Sequence, residues 1–220
     1  MHPSNTDPLT GLLARQAFLD IFTQAIPQAG DERPLSLAFI DVDTFLDINA
    51  AYGRSGGDQV LKTIAALLQE TMNGEGVTVS RYGGDEFVVL FEGVEREKAF
   101  LNLEGVRARV EQNSIPNPGG QSITGVTISA GVASYPIDGR TPEELLRKAD
   151  QALYRAKVAG RNQVKLAYEE KMIPKTTLFT QTQLERLANL ASELGRNESE
   201  LLRLALDDLL AKYGLTKIEP

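Results

Sequence analysis

The sequence predicts a mixed α/β (α+β) fold followed by a small helical unit. Three observations carry this expectation. Leu35–Val42 is a near-continuous apolar run that ends in acids, the pattern of a buried central strand. Val77–Tyr82 and Glu86–Phe91 are two β-prone runs joined by Gly83-Gly84-Asp85, and glycine supplies the positive φ that a tight hairpin needs. Around them lie stretches with apolar residues at helical spacing, so strands and helices alternate. The chain has 220 residues, 42% of them hydrophobic, enough for one full core or for one core plus an appendage.

Each element has its own signal. Leu12–Ala29 carries Phe18, Leu19, Phe22 and Ile26 at helical spacing, with Thr10 as the expected cap. Residues 31–34 read as a loop before the strand Leu35–Val42. Thr44–Tyr52 is a short helix stopped by Gly53. Asp58 to about Met72 is a longer helix, with Val60, Leu61, Ile64, Leu67 and Leu68 on one side. After the hairpin come a helix over Arg96–Asn113, a Pro/Gly loop over Ile115–Gln121 and a strand over Ile123–Ser134. Thr141-Pro142-Glu143-Glu144 is a helix start, with threonine as cap and proline first. That helix runs to about Ala159 and stops at Gly160, and Gln163–Ala167 is the last strand of the body. Beyond it, Thr176–Phe179 is a short β-prone run. Gln183–Leu194 and Ser199 to about Tyr213 are helices with one apolar stripe each, split by Gly195-Arg196-Asn197. The expected boundary lies at residues 168–173, giving domains over 1–168 and 173–220. A unit as small as the second cannot bury its own core and is expected to pack on a partner copy.

Composition excludes several classes. Cysteine is absent, so disulfides and thiolate chemistry are ruled out. No apolar run reaches the length of about 18 residues that a membrane span requires, and the first residues lack the basic and apolar pattern of a signal peptide. A soluble cytoplasmic protein without a membrane partner is expected. A net charge of −7 argues against broad non-specific nucleic-acid binding. The charge is uneven: 16 basic and 23 acidic residues up to Glu170, then 7 of each. His2 is the only histidine, so no histidine-centred catalysis is expected.

Four acids stand at telling places. Asp41 and Asp43 sit where the buried strand ends, and Asp85 and Glu86 sit at the hairpin tip. If the hairpin pairs beside the first strand, these carboxylates converge, and converging carboxylates repel unless a hard cation neutralises them. Mg²⁺ suits one or two carboxylates plus phosphate oxygens. Two such ions activate an attacking hydroxyl and stabilise a leaving phosphate. A plainer alternative stands beside this one. An acid after a strand caps the next helix, as Asp43 would, and an acid after Gly-Gly is ordinary turn chemistry.

Arg81-Tyr82-Gly83-Gly84-Asp85-Glu86-Phe87 resembles the signature of the GGDEF diguanylate cyclases. Asp7-Pro8-Leu9-Thr10-Gly11-Leu12 is similar to that family's DxLTGL opening, and Asp41-Val42-Asp43-Thr44-Phe45 to its DxDxF. Asn49, Gly53 and Gly57-Asp58 keep the spacing of its N-x₃-G-x₃-GD. Ala149–Lys157 and Gly160-Arg161-Asn162 resemble its closing ADxALYxAK and GRN. The resemblance spans roughly residues 7–167.

The resemblance implies a palm-like, mainly antiparallel sheet flanked by helices. It implies a homodimer that condenses two GTP into cyclic di-GMP and two pyrophosphates, each 3′-hydroxyl attacking the α-phosphate of the opposite nucleotide. Asp41, Asp85, Glu86 and the Val42 carbonyl would hold two Mg²⁺, with Mn²⁺ as an alternative. Glu86 and Asp85 would be the catalytic acids, with Glu86 aiding metal binding or proton removal. Asn49 and Asp58 would read the guanine edge, with Phe45 also at the nucleotide. Gly83 and Gly84 would let the backbone approach the phosphates. Lys157 and Arg161, one helical turn apart, would bind the terminal phosphates. For these two the plainer alternative is a solvated helix end, where cations complement the dipole.

The chain departs from the pattern at Leu46, Ala50 and Arg54, where the family usually has lysine, aspartate and histidine. Loss of the lysine's charge-assisted phosphate contact costs about 1.5–3 kcal/mol, a slowing of roughly ten- to hundred-fold. The family's RxxD product-inhibition motif falls on Gly74-Glu75-Gly76-Val77, which has lost both charged positions, so no inhibitory product site of that kind is expected. These departures feed a second expectation: a weak or inactive GGDEF domain that senses a guanine nucleotide and controls a DNA-binding module.

Thr177–Thr180, Leu184–Leu187 and Gly195–Leu201 resemble a ribbon-helix-helix domain, an intertwined dimer whose paired strands read DNA. Two amphipathic helices without a ribbon are the alternative. With Phe179 inward, the outward strand residues are Leu178, Thr176 and Pro174; a one-residue shift exposes Lys175, Thr177 and Phe179. DNA readers place Arg, Lys, Asn or Gln there, so dimerisation is favoured over DNA binding.

Overall fold

The computed structural model describes residues 5–30, 32–117, 120–167, 177–194 and 198–213. It divides into two compact units, Met1–Glu169 and Glu170–Pro220. The first runs β1 (Leu13–Ala14), α1 (Arg15–Ala25) with a 3-10 turn over Ile26–Gln28, β2 (Leu35–Val42), α2 (Phe45–Thr71), β3 (Val77–Gly83), β4 (Glu86–Glu92), α3 (Arg96–Glu111), β5 (Ile128–Tyr135), α4 (Pro142–Val158) and β6 (Val164–Leu166). Six strands form one sheet in the order β1-β3-β4-β2-β5-β6. The four long strands pair antiparallel, and the short edge strands β1 and β6 pair parallel. The fold is therefore mixed α/β, as the sequence predicts.

Strand β2 is buried along its whole length because both of its faces are covered. Ala38, Ile40 and Val42, with Phe87, Val89 and Phe91 of β4, belong to one apolar cluster with residues of α2 and α3. Leu35, Leu37 and Phe39, with Val88 and Leu90, belong to a second cluster with residues of α1 and α4. The period of two along a strand then assigns the strand ends: Asp41 and Glu86 continue the α4-facing rows. Gly131 of β5 lies under α4, where an added Cβ would meet the Ala149 carbonyl, the Leu153 N–H and the Ala152 side chain. Only glycine lets helix and strand come this close.

Several expected boundaries shift. Thr10 does not cap α1; its N–H and hydroxyl both donate to Asp7, at 2.9 and 2.7 Å. β5 begins at Ile128 rather than Ile123, and Ile123 instead makes an isolated bridge to Ile115. The second half of α2 starts right after Gly53 rather than at Asp58, and Gly53 alone leaves helical geometry, at φ 70 and ψ 172. In the hairpin, Gly83 pairs with Glu86, so the turn itself is Gly84-Asp85 and only Gly84 takes a positive φ, 53. Thr141 does cap α4, accepting from the Glu144 N–H at 3.2 Å.

The second unit contains α5 (Gln181–Leu194) and α6 (Glu198–Lys212). Thr180 and Gln183 form a reciprocal cap: the Gln183 side chain accepts from the Thr180 N–H at 2.9 Å, and the Thr180 hydroxyl accepts from the Gln183 N–H at 3.3 Å. This moves the helix start two residues ahead of the expected Gln183. Residues 177–180 lie outside any strand, which corrects the strand expected over Thr176–Phe179; Pro174, Lys175 and Thr176 lie outside the described residues. A strand needs a ladder partner, and a ribbon takes that partner from a second chain. No helix among the described residues is long and apolar enough to cross a membrane.

Candidate active site

The end of β2 and the tip of the β3–β4 hairpin meet. Asp41 lies directly opposite Glu86 across the β2–β4 ladder. The next backbone bond, from the Val42 N–H to the Asp85 carbonyl at 3.3 Å, carries the pairing onto the turn. Asp41 is 8% exposed, and the Lys157 Nζ sits 2.8 Å from its Oδ2. Burial pushes the Asp41 carboxyl above its ordinary range, against the pull of Lys157, and Asp85 and Asp43 add to the rise. Burial also raises Glu86, helped by the negative charges of Asp41 and Asp85. Such raised carboxyls mark a place where burial and neighbouring negative charge disfavour the ionised form. Beside Glu86 and Lys157 opens a cleft of about 460 Å³, lined also by Asp150, Gln151, Leu153, Tyr154 and Arg155.

The start of α2 makes a second part of the site. In an unbroken helix Asn49 and Gly57 would lie about 12 Å apart along the axis. The kink at Gly53 folds them together: a Cβ on Gly57 would collide with the Asn49 carboxamide and come within 3.1 Å of the Phe45 ring. Phe45, Asn49 and Gly57 thus gather around one bend, with Asp58 next in the chain. This is the physical content of the asparagine-glycine-glycine spacing. Leu46, on the same turn, is 82% exposed.

Lys157 and Arg161 are not on one helix. α4 ends at Val158, and Arg161 lies in the turn beyond it with φ 64, so the expected helical spacing between them is corrected. Asp43 does not cap α2 either: no side chain caps that helix. Its carboxylate instead accepts from the hydroxyls of Thr127 and Ser129 and from the Asn162 N–H. Two supports of the hairpin tip escaped sequence reasoning. The Arg81 guanidinium donates to the Gly84 carbonyl at 2.6 and 3.0 Å and to both oxygens of Asp7 at 3.1 and 3.2 Å. Arg15 stacks over the Tyr82 ring at 4.3 Å. Arg81 and Asp7 stand in recognisable motifs, but 74 residues apart, and nothing local says that they bond.

Residues 4–163 match the family described as "Diguanylate cyclase, GGDEF domain", over more than half of the chain. This protein belongs to the GGDEF family. Residues 172–214 of the same GGDEF protein match a ribbon-helix-helix domain. It is 36% identical over 169 residues to diguanylate cyclase A of Treponema denticola, covering 74% of this chain and 44% of the relative. It is 37% identical over 162 residues to the response regulator PleD of Caulobacter vibrioides, covering 72% and 35%. The GGDEF protein thus spans less than half the length of these curated relatives. Its structure is similar to the GGDEF domain of DgcB from Caulobacter crescentus, solved in complex with c-di-GMP. That likeness has a TM-score of 0.70 and 29% identity, over 76% of this chain and 98% of the other.

Proposed function

We propose that this GGDEF protein is a diguanylate cyclase that condenses two GTP into cyclic di-GMP and two pyrophosphates, as a homodimer. The observation that carries this reading is the pairing of Asp41 with Glu86 beside Asp85, with Lys157 on the same carboxylate.

The donor set fits a hard divalent cation. Every candidate donor is an oxygen: the Asp41, Asp85 and Glu86 carboxylates and the Val42 carbonyl. Mg²⁺ takes few protein ligands and completes its shell with water and phosphate oxygens. Bound there, two Mg²⁺ (or Mn²⁺) supply charge neutralisation at the phosphates and acidify the attacking hydroxyl.

The chain's own residues do the rest. Asp58 and Asn49 hold the guanine edge beside Phe45, and an aspartate matches the N1–H and N2–H donors of guanine, so GTP is favoured over ATP. Gly83 and Gly84 leave open space above the turn for phosphate oxygens, since a Cβ at either would meet nothing within 4 Å. Lys157 and Arg161 hold the terminal phosphates. Glu86 helps to hold the metal or accepts the proton of the 3′-hydroxyl. The 3′-oxygen bonds to the α-phosphorus of the opposite nucleotide, and the bond to pyrophosphate breaks. A second such step closes the ring. One domain holds one nucleotide, so the reaction needs two protomers facing each other. The ribbon-helix-helix unit brings them together by raising their local concentration. On this reading the reaction belongs to the cytoplasm, where GTP is made.

Pyrophosphate release from GTP with Mg²⁺ tests the assignment, with ATP as control. Wild type is expected to release it from GTP and not from ATP, and Glu86→Gln to lose at least about 100-fold. Equal rates in the two proteins would remove Glu86 from the chemistry. The ribbon-helix-helix match and the exposed Leu46 favour a second reading, a guanine-nucleotide sensor coupled to DNA. GTP binding without turnover, together with a salt-dependent shift of promoter DNA, would support it.

A further inference from the structure

Asp43 lies two residues beyond Asp41 and is 3% exposed, yet it belongs to a different set of contacts. Its Oδ1 accepts from the Ser129 hydroxyl at 2.7 Å. Its Oδ2 accepts from the Thr127 hydroxyl at 2.8 Å and from the Asn162 N–H at 3.0 Å. All three donors are neutral. The Asp43 N–H donates to the Thr127 carbonyl at 3.0 Å, so the residue is pinned from both backbone and side chain.

Asn162 is gripped from the other side by α3. Its Oδ1 accepts from Arg107 at 2.9 Å, and its Nδ2 donates to Glu111 at 2.8 Å. Arg107 is itself paired with Glu104 and Glu111, and the free oxygen of Glu104 accepts from the Val164 N–H at 3.1 Å. Arg161 and Asn162 are consecutive non-glycine residues with left-handed backbone, at φ 64 and 48. Residues persist in that region only where their surroundings over-determine them. Here they do. The Arg161 N–H donates to the Ala156 carbonyl at 3.0 Å, and the Arg161 carbonyl accepts from the Gln163 side chain at 3.1 Å.

We infer that the Asp43–Asn162 clamp positions Arg161 for the terminal phosphates of the substrate; this rests on the reading of Arg161 given above. Asp43 touches no substrate. It ties the end of the strand that carries Asp41 to the turn that carries Arg161, so that metal-side acids and phosphate-side cations keep one spacing. The carboxylate suits this task because its two oxygens take three donors at once.

A double-mutant cycle on the full chain separates positioning from simple stapling of the fold. Binding of a non-hydrolysable GTP analogue with Mg²⁺ is titrated for wild type, Asp43→Asn, Arg161→Ala and the double variant, with circular-dichroism melts alongside. Asp43→Asn is expected to stay folded and to weaken binding about 10–100-fold. In the Arg161→Ala background it is expected to add less than about twofold. Equal losses in both backgrounds would make the clamp a staple and overturn the inference. Loss with Arg161→Ala but none with Asp43→Asn overturns the clamp alone. Wild-type binding by Arg161→Ala overturns the phosphate reading and the clamp with it. If Asp43→Asn unfolds, Asn162→Gly replaces it in the same cycle. That variant keeps the left-handed backbone and the N–H bonded to Asp43 while cutting the tether to α3, and the same outcomes decide.

Discussion

At the scale of single residues, Asp7 shows how a distant acid stabilises the hairpin tip. Burial alone would raise its carboxyl, but the Thr10 hydroxyl, the Arg81 guanidinium and the Thr10 N–H together hold it below its ordinary value. A folded-state pKa below the unfolded one gives stability that is present at neutral pH. That stability is lost as pH falls from about 4, near the unfolded value, through the lower folded value. Asp7→Asn is therefore expected to cost about 1–3 kcal/mol at pH 7 and to flatten the acid limb of the stability profile. Urea melts at pH 7 and pH 3 check this, and a variant that loses as much stability on acidification as wild type would contradict it. Residue identities in the site were legible from the sequence because chemistry restricts them. Asp41, Asp85 and Glu86 are oxygen donors at a strand end and a turn, whatever lies between. The partners of Asp43 and Arg81 were not legible, since hydrogen bonds across 119 and 74 residues depend on the finished sheet.

At the scale of elements, the site depends on two glycines that answer different needs. Gly53 breaks α2 so that Asn49 can lie against Gly57. The break could be foreseen, because glycine is the residue that tolerates φ 70. The early restart of the helix could not, because Ser55, Gly56 and Gly57 are weak helix formers by themselves. Packing decides there: Gly56 meets Tyr52 and Ile123, and no larger residue fits. Gly131 seats α4 on β5, and α4 carries Lys157 to Asp41. Gly131→Ala is expected to lower stability by about 1–3 kcal/mol through overpacking and to weaken nucleotide binding by displacing Lys157. Thermal melts and a GTP-analogue titration read the two effects. A variant less stable but with unchanged binding would separate α4 seating from the site. The two-residue β1 left no sequence signal of its own, since so short a strand has no period to detect.

At the scale of the whole molecule, a GGDEF unit is joined to a unit that exposes apolar side chains as a single chain. Leu178 is 96% exposed, and Leu184, Leu190, Leu206, Leu209 and Tyr213 are also exposed. An exposed apolar surface of this kind is the mark of an interaction site, and the proposed homodimer would cover it. Removing residues after Tyr168 is expected to leave the first unit folded and to lower specific activity at nanomolar but not at high micromolar protein. A dilution series of both forms checks this, and identical curves would deny the tail its dimerising role. The inhibitory motif lost at Gly74–Val77 predicts that added cyclic di-GMP binds no second site and suppresses turnover only by competition with GTP. The most direct measurement is chromatography of the products formed from GTP and Mg²⁺ by the purified full chain. Cyclic di-GMP with two pyrophosphates per molecule is the predicted result. Bound GTP recovered unchanged at every protein concentration would contradict the account at its centre.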